Sequence, residues 1–261
     1  MSNIHAESVM QYDCDVAVIG SGSGGIAAAV AAARAGCRVL VVEKNGYVGG
    51  MTTAGLPYLG YLDVQKRPTV GGIATEFVER LRQDNASFGV RYCPKHCSIA
   101  AIDPDRVKLT AAKFLEDSGV DFLLHTHAIA VEVEDGVLRS IRCECAGTRI
   151  QVRAKVFIDA TGDGVISYLA GAEYEKGTAG VDLQPPSILF TIGGVNKERF
   201  FGWLEEHPEE VEPYTMEYLR AAPDFVLVTL QKLWEKLNPI GEWPMGIWAM
   251  IYINRFNDSE V

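Results

Sequence analysis

Residues 15–44, DVAVIGSGSGGIAAAVAAARAGCRVLVVEK, limit what this chain can fold into more than any other stretch. Val16, Val18 and Ile19 make a short apolar run fit for a buried strand, and Gly20, Gly22 and Gly25 follow as GxGxxG where the chain turns into a helix. Glycine at the first position permits the tight turn, and at the second it lets the backbone approach a pyrophosphate. At the third it lets the helix lie close on its strand, while free amides at the helix start face the anion. The helix, over about residues 24–35, is nearly all alanine, and Gly36 stands where a left-handed residue ends it. A second strand, residues 38–42, runs into Glu43, about 20 residues past the glycines, where a carboxylate can accept both hydroxyls of an adenosine ribose. Glycines alone would be a turn; strand, glycines, helix, strand and acid in this order read as a dinucleotide site.

The chain of 261 residues is long enough for one large domain or two interlocked ones. A net charge of −10 argues against nucleic acid or an anionic membrane surface as partner. No apolar run reaches the length of a membrane span, and the first 15 residues show no secretory pattern, so the chain reads as cytoplasmic. Six cysteines agree with a reducing compartment. Cys14 and Cys37 read as small core residues of the first βαβ unit, and Cys143 and Cys145 alternate on one strand without forming a zinc pattern. Cys93 and Cys97 flank His96 in YCPKHC, a cluster of more interest that also reads as a buried or adventitious pair.

After Glu43 the chain enters KNGYVGGMTTAGLPYLGYLD, where Gly49 and Gly50 allow close backbone approach and Thr52 and Thr53 offer hydroxyl donors. A helix is predicted from Ile73, Phe77, Val78 and Leu81, and another opens at Asp103–Pro104 and closes at Gly119. A strand over 120–124 precedes a meander of three strands with a hairpin turn at Asp135–Gly136 and another at Gly147. His125 and His127, at period-two spacing, share a face on this reading; they are more often structural than metal ligands, and no metal site is expected. KVFIDATGDG then supplies a buried strand, residues 156–158, and the small residues Ala160, Thr161 and Gly162 where the chain leaves the sheet. From Ala172 a second region is expected, with a strand over 187–192, a helix over about 224–237 and a final strand over 247–253. Its tryptophans, Trp203, Trp234, Trp243 and Trp248, are read as core.

The combination resembles FAD-dependent oxidoreductases with a glutathione-reductase-like flavin domain. Closest is the subgroup in which the glycine motif is followed by GGxxTxGL, here residues 49–56, and by an IDATGDG strand end. GGIATEFVERL, IDPDRVK and QPPSILFTIGGV are also similar, so the resemblance covers about residues 14–195 and, more weakly, IYINRFN. It implies an α/β fold: a Rossmann-like FAD-binding domain with a β-meander over 1–171, in which 63–99 is an insertion, and an incomplete α+β substrate or cap domain over 172–261. It further implies a cofactor-binding set. Gly20, Ser21, Gly22, Ser23, Gly24 and Gly25 belong to the pyrophosphate loop, and Glu43 with Lys44 to the ribose end. Gly50, Met51, Thr52 and Thr53 lie beside the pyrophosphate and ribityl chain, Ala128 at the adenine edge, and Ala160, Thr161, Gly162 and Asp163 close the site.

The expected activity is transfer of hydride or electron pairs between a small organic substrate and the flavin, with no catalytic residue assigned. A nicotinamide dehydrogenase is argued against by residues 49–56 and 160–162. A non-catalytic FAD-binding subunit, or one half of a split enzyme, stays open. The resemblance implies a returning strand and helix that nothing after Asn254 supplies, hence an exposed apolar surface and a C-terminal partner chain or a homo-oligomer. A flavin-dependent thiol or disulfide enzyme using Cys93 and Cys97 also stays open. Its redox pair would be expected directly after the glycine pair, where this chain has Met51, Thr52 and Thr53.

Overall fold

The computed structural model describes residues 9–177, 183, 189, 193–223, 225–229 and 250–253. The chain forms two compact units, residues 1–54 with 107–188 and residues 55–106 with 189–261.

The first unit is built on β1 (Met10–Ile19), α1 (Ser23–Arg34) and β2 (Val39–Val42). In the second unit lie β3 (Tyr58–Leu59), α2 (Ile73–Gln83), β4 (Arg91–Cys93) and β5 (Cys97–Ala100). Helix α3 (Pro104–Asp117) follows; Asp103 accepts hydrogen bonds from the amides of Asp105 (3.0 Å) and Arg106 (3.1 Å), as its place before Pro104 predicts. The chain re-enters the first unit at Val107 within α3 and continues there with β6 (Asp121–Leu123), β7 (His127–Glu134), β8 (Val137–Cys145), β9 (Thr148–Asp159) and the short α4 (Val165–Leu169). Asp135 and Gly136 both take positive φ in the β7–β8 turn, which matches the twist of a hairpin. Helices α5 (Lys197–Glu206) and α6 (Met216–Ala221) and strands β10 (Val226–Thr229) and β11 (Met250–Ile253) complete the second unit.

A six-stranded sheet ordered β6-β2-β1-β9-β8-β7 organises the first unit. Its β6, β2, β1 and β9 are parallel, and β9, β8 and β7 form the antiparallel meander. The register brings Ile19 level with both Val42 and Asp159, so β1, β2 and β9 end at one edge of the sheet. The core holds Ala17, Ile19, Leu40, Val42, Ile141 and Val152, with Cys14 and Cys143 as small members. Burial pushes the Cys143 thiol up to about 12.

Three expectations are corrected here. Residues 156–158 are the end of one twelve-residue strand, β9, rather than a separate buried strand, and Val156 is 52% exposed. His125 takes a left-handed φ of +52° ahead of β7, so it does not alternate with His127 on one face; no group of three metal-ligating side chains occurs among the described residues. Within the helix predicted over 224–237, residues 226–229 form strand β10 paired antiparallel to β11, in keeping with the β-branched Val226, Val228 and Thr229; residues 230–237 lie outside the described residues. The strand over 187–192 and Trp234, Trp243 and Trp248 lie outside the described residues.

In the second unit Cys93 and Ile99 share an apolar cluster with Leu204, Val211, Tyr214, Leu219 and Phe225. Residues 63–99, read from the sequence as an insertion in the first domain, thus share a core with the region read as a cap. Its described strands form a three-stranded sheet ordered β3-β5-β4 and the two-stranded pair β10-β11.

Candidate functional site

At the carboxyl edge of β1, β2 and β9 three loops meet, the place where open α/β sheets bind ligands. The glycines there divide by what a side chain would meet. A Cβ on Gly20 would stand 2.3 Å from the Ala160 carbonyl oxygen, and one on Gly25 2.0 Å from the carbonyl oxygen of Gly20. Gly20 also has φ of +98°. Gly50 is pressed against the first loop, since its Cβ would lie 2.6 Å from Cα of Gly22. Gly22 and Gly24 have nothing within 4 Å of the same position. Packing therefore demands glycine at 20, 25 and 50, while 22 and 24 open onto free space in front of the first amides of α1, which have no intrahelical acceptors.

Hydrogen bonds fasten the loops. The amide of Gly49 donates to the carbonyl of Ser21 (2.9 Å), that of Gly20 to Val42 (2.8 Å), and that of Ala160 to Ile19 (2.8 Å). Glu43 is 4% exposed. One of its oxygens accepts from the amide (2.9 Å) and hydroxyl (2.6 Å) of Ser21, and the other from the amide (2.9 Å) and side-chain nitrogen (2.8 Å) of Asn45. These four donors fill a carboxylate that can take about four. Sequence reasoning placed ribose hydroxyls on Glu43 and overlooked Asn45; a ribose would have to displace one of the present donors. The adjoining backbone is fixed as well: Thr126 donates to the carbonyl of Glu43 (2.9 Å) and His125 to that of Asn45 (3.0 Å).

The remaining predicted residues fall as follows. Thr52 and Thr53 donate their hydroxyl protons back to Gly49 and Gly50 (2.7 Å each), so they tighten their own turn rather than offering free donors. Met51 is 62% exposed. Ser23, Lys44, Gly162 and Asp163 are exposed, and Ala128 is half-buried on β7. The ATGDG turn is held by Asp159, which was not singled out from sequence. Its carboxylate accepts from Thr161 (hydroxyl, 2.7 Å) and from Ser167 (amide, 2.8 Å; hydroxyl, 2.9 Å). Burial works against its charge, yet these hydrogen bonds outweigh burial and hold the carboxyl below its ordinary range. A lowered folded pKa stabilises above the unfolded value of ~3.9, and that contribution is lost as pH falls through the folded value. Asp159→Asn is thus expected to flatten the fall in stability at acid pH, read by urea unfolding from about pH 5 downward; an unchanged pH slope would contradict the assignment.

The family model of FAD dependent oxidoreductases matches residues 15–238. The chain belongs to that family. Among relatives, it is 31% identical over 175 residues to a digeranylgeranylglycerophospholipid reductase of Methanosphaerula palustris, covering 62% of this chain and 41% of that protein. It is 30% identical over 165 residues to a thiamine thiazole synthase of Pyrobaculum aerophilum, covering 58% and 56%. A solved structure, the glycerol-3-phosphate dehydrogenase of Bacillus halodurans complexed with FAD, aligns with a TM-score of 0.43 and 15% identity over 61% of this chain and 36% of that one. The chain spans about half the length of the relatives it matches or less. For a member of the FAD-dependent oxidoreductase family the cofactor is FAD, and Gly22 and Gly24 are the loop glycines with open space beside them. No described helix is long and apolar enough to cross a membrane.

Proposed function

We propose that this chain holds the adenosine and pyrophosphate half of FAD at the carboxyl edge of β1 and serves a two-electron oxidation or reduction of a small organic substrate. The observation that carries the reading is the split between glycines demanded by packing and glycines that open onto space. FAD, when bound, supplies hydride or electron-pair transfer. The protein's part is to present the amides of residues 22–25 to the pyrophosphate and to keep the loop of Ser21 rigid through Glu43. The subgroup with a glutathione-reductase-like flavin domain fits the order of motifs, with Gly50 and Met51 beside the pyrophosphate and Ala160, Thr161, Gly162 and Asp163 closing the loop cluster. The test is to release and identify the cofactor of the purified protein after denaturation, then to screen organic reductants for anaerobic bleaching of the bound flavin. Recovery of no flavin from a folded protein that also fails to take up added FAD would refute the proposal.

A further inference from the structure

The register of β4 and β5 sets Cys93 directly opposite Cys97 across the turn Pro94, Lys95, His96. Opposed residues of an antiparallel pair have Cα atoms about 4.5–5.5 Å apart, inside the roughly 4.4–6.8 Å that a disulfide spans. Both cysteines are free thiols. Cys93 is fully buried and Cys97 partly exposed. Cys93 Sγ lies 3.5 Å from Nδ1 of His96 and 3.6 Å from the hydroxyl of Tyr214. Burial, and then the charge of Lys95, lower the pKa of His96, so at neutral pH its imidazole is uncharged and able to accept a proton. A cysteine that merely fills the cluster of Leu204, Leu219 and Phe225 requires neither a proton acceptor beside it nor a second thiol across the hairpin.

We propose that Cys93 and Cys97 are a dithiol–disulfide couple whose co-reactant is a low-molecular-weight disulfide, with Cys97 reacting first and Cys93 closing the bridge. The thiolate of Cys97, the one reachable from solvent, attacks one sulfur of RSSR; a Cys97–SR bond forms, the S–S bond of RSSR breaks, and RS⁻ leaves and picks up the proton lost by Cys97. The thiol of Cys93 passes its proton to Nδ1 of His96 as its sulfur attacks Sγ of Cys97. The second RS⁻ leaves and takes that proton. Two protein thiols lose two electrons, and one RSSR becomes two RSH. The step uses no flavin, so it stands apart from the function proposed above.

The test is incubation of the native full chain with oxidised glutathione, alkylation of remaining thiols and digestion with trypsin. Cleavage after Lys95 separates residues 92–95 from residues 96–106 unless a bridge joins them. The wild type is expected to yield the joined pair, and Cys93→Ser a stable glutathione adduct on Cys97. His96→Asn is expected to accumulate the same adduct because closure slows on the order of 10²-fold. Modification of Cys37 or Cys145 without the joined pair, or a joined pair formed only after denaturation, would overturn the couple on wild-type protein alone. Unslowed closure in His96→Asn would overturn the role given to the imidazole.

Discussion

Gly25→Ala is expected to destabilise the protein by about 3 kcal/mol, the upper part of the range for overpacking, although alanine is the better helix former by about 1 kcal/mol. The contact decides the sign. The new methyl would stand 2.0 Å from a backbone carbonyl of Gly20, and neither the strand end nor the helix start can yield without disturbing the hydrogen bonds of Gly20 to Val42 and of Gly49 to Ser21. Thermal or urea unfolding should show the loss, with a fall in midpoint of roughly 6–12 °C. Gly22→Val should behave oppositely. Gly22 has an ordinary φ of −68° and open space at its Cβ, so the fold should persist while FAD affinity collapses. Gly25→Ala protein as stable as wild type, or Gly22→Val protein that retains FAD, would contradict this division of labour.

Glu43→Ala is expected to cost about 3–5 kcal/mol of stability before any cofactor is considered, since a buried charged acceptor is removed and its donors are stranded. The amide and hydroxyl of Ser21 are buried and would have no acceptor, whereas those of Asn45 are partly accessible to water. Equilibrium unfolding of cofactor-free protein is the decisive measurement. A variant that binds FAD poorly but unfolds like wild type would mean that the carboxylate serves the ligand alone. Ser21→Ala, which removes one donor and leaves the acid in place, should cost much less, about 1 kcal/mol.

Periodicity and glycine spacing made the first βαβ unit, the capped α3 and the meander legible, because each is written in residues close together in sequence. The motif assigned Gly20, Gly22 and Gly25 separate roles, but not the atoms they meet: Ala160 arrives beside Gly20 from the far end of β9. Glu43 was legible as an acid at the end of β2, yet its saturation by Ser21 and Asn45 depends on the path of two loops. Val226 and Leu230 fit a helical stripe in a segment whose start, β10, pairs with β11, and only the partner strand decides that contest. The shared core of Cys93 and Ile99 with Leu204 and Phe225 joins segments too distant for any local pattern to connect.

Strand β9 runs beside β1 from the pair Met10 and Ile150 to the pair Ile19 and Asp159, joining residues roughly 140 apart in sequence. Closing so long a loop must precede the reward of that ladder, which places its formation late and makes it slow relative to the β7–β8–β9 hairpins. Ala160 reaches Gly20 only once the ladder is complete. The glycine loop therefore cannot exist in its final form as a preformed local motif on a nascent chain: amides of residues 10–19 and of the loop that follows them should gain protection from hydrogen exchange together, in the last cooperative step of refolding.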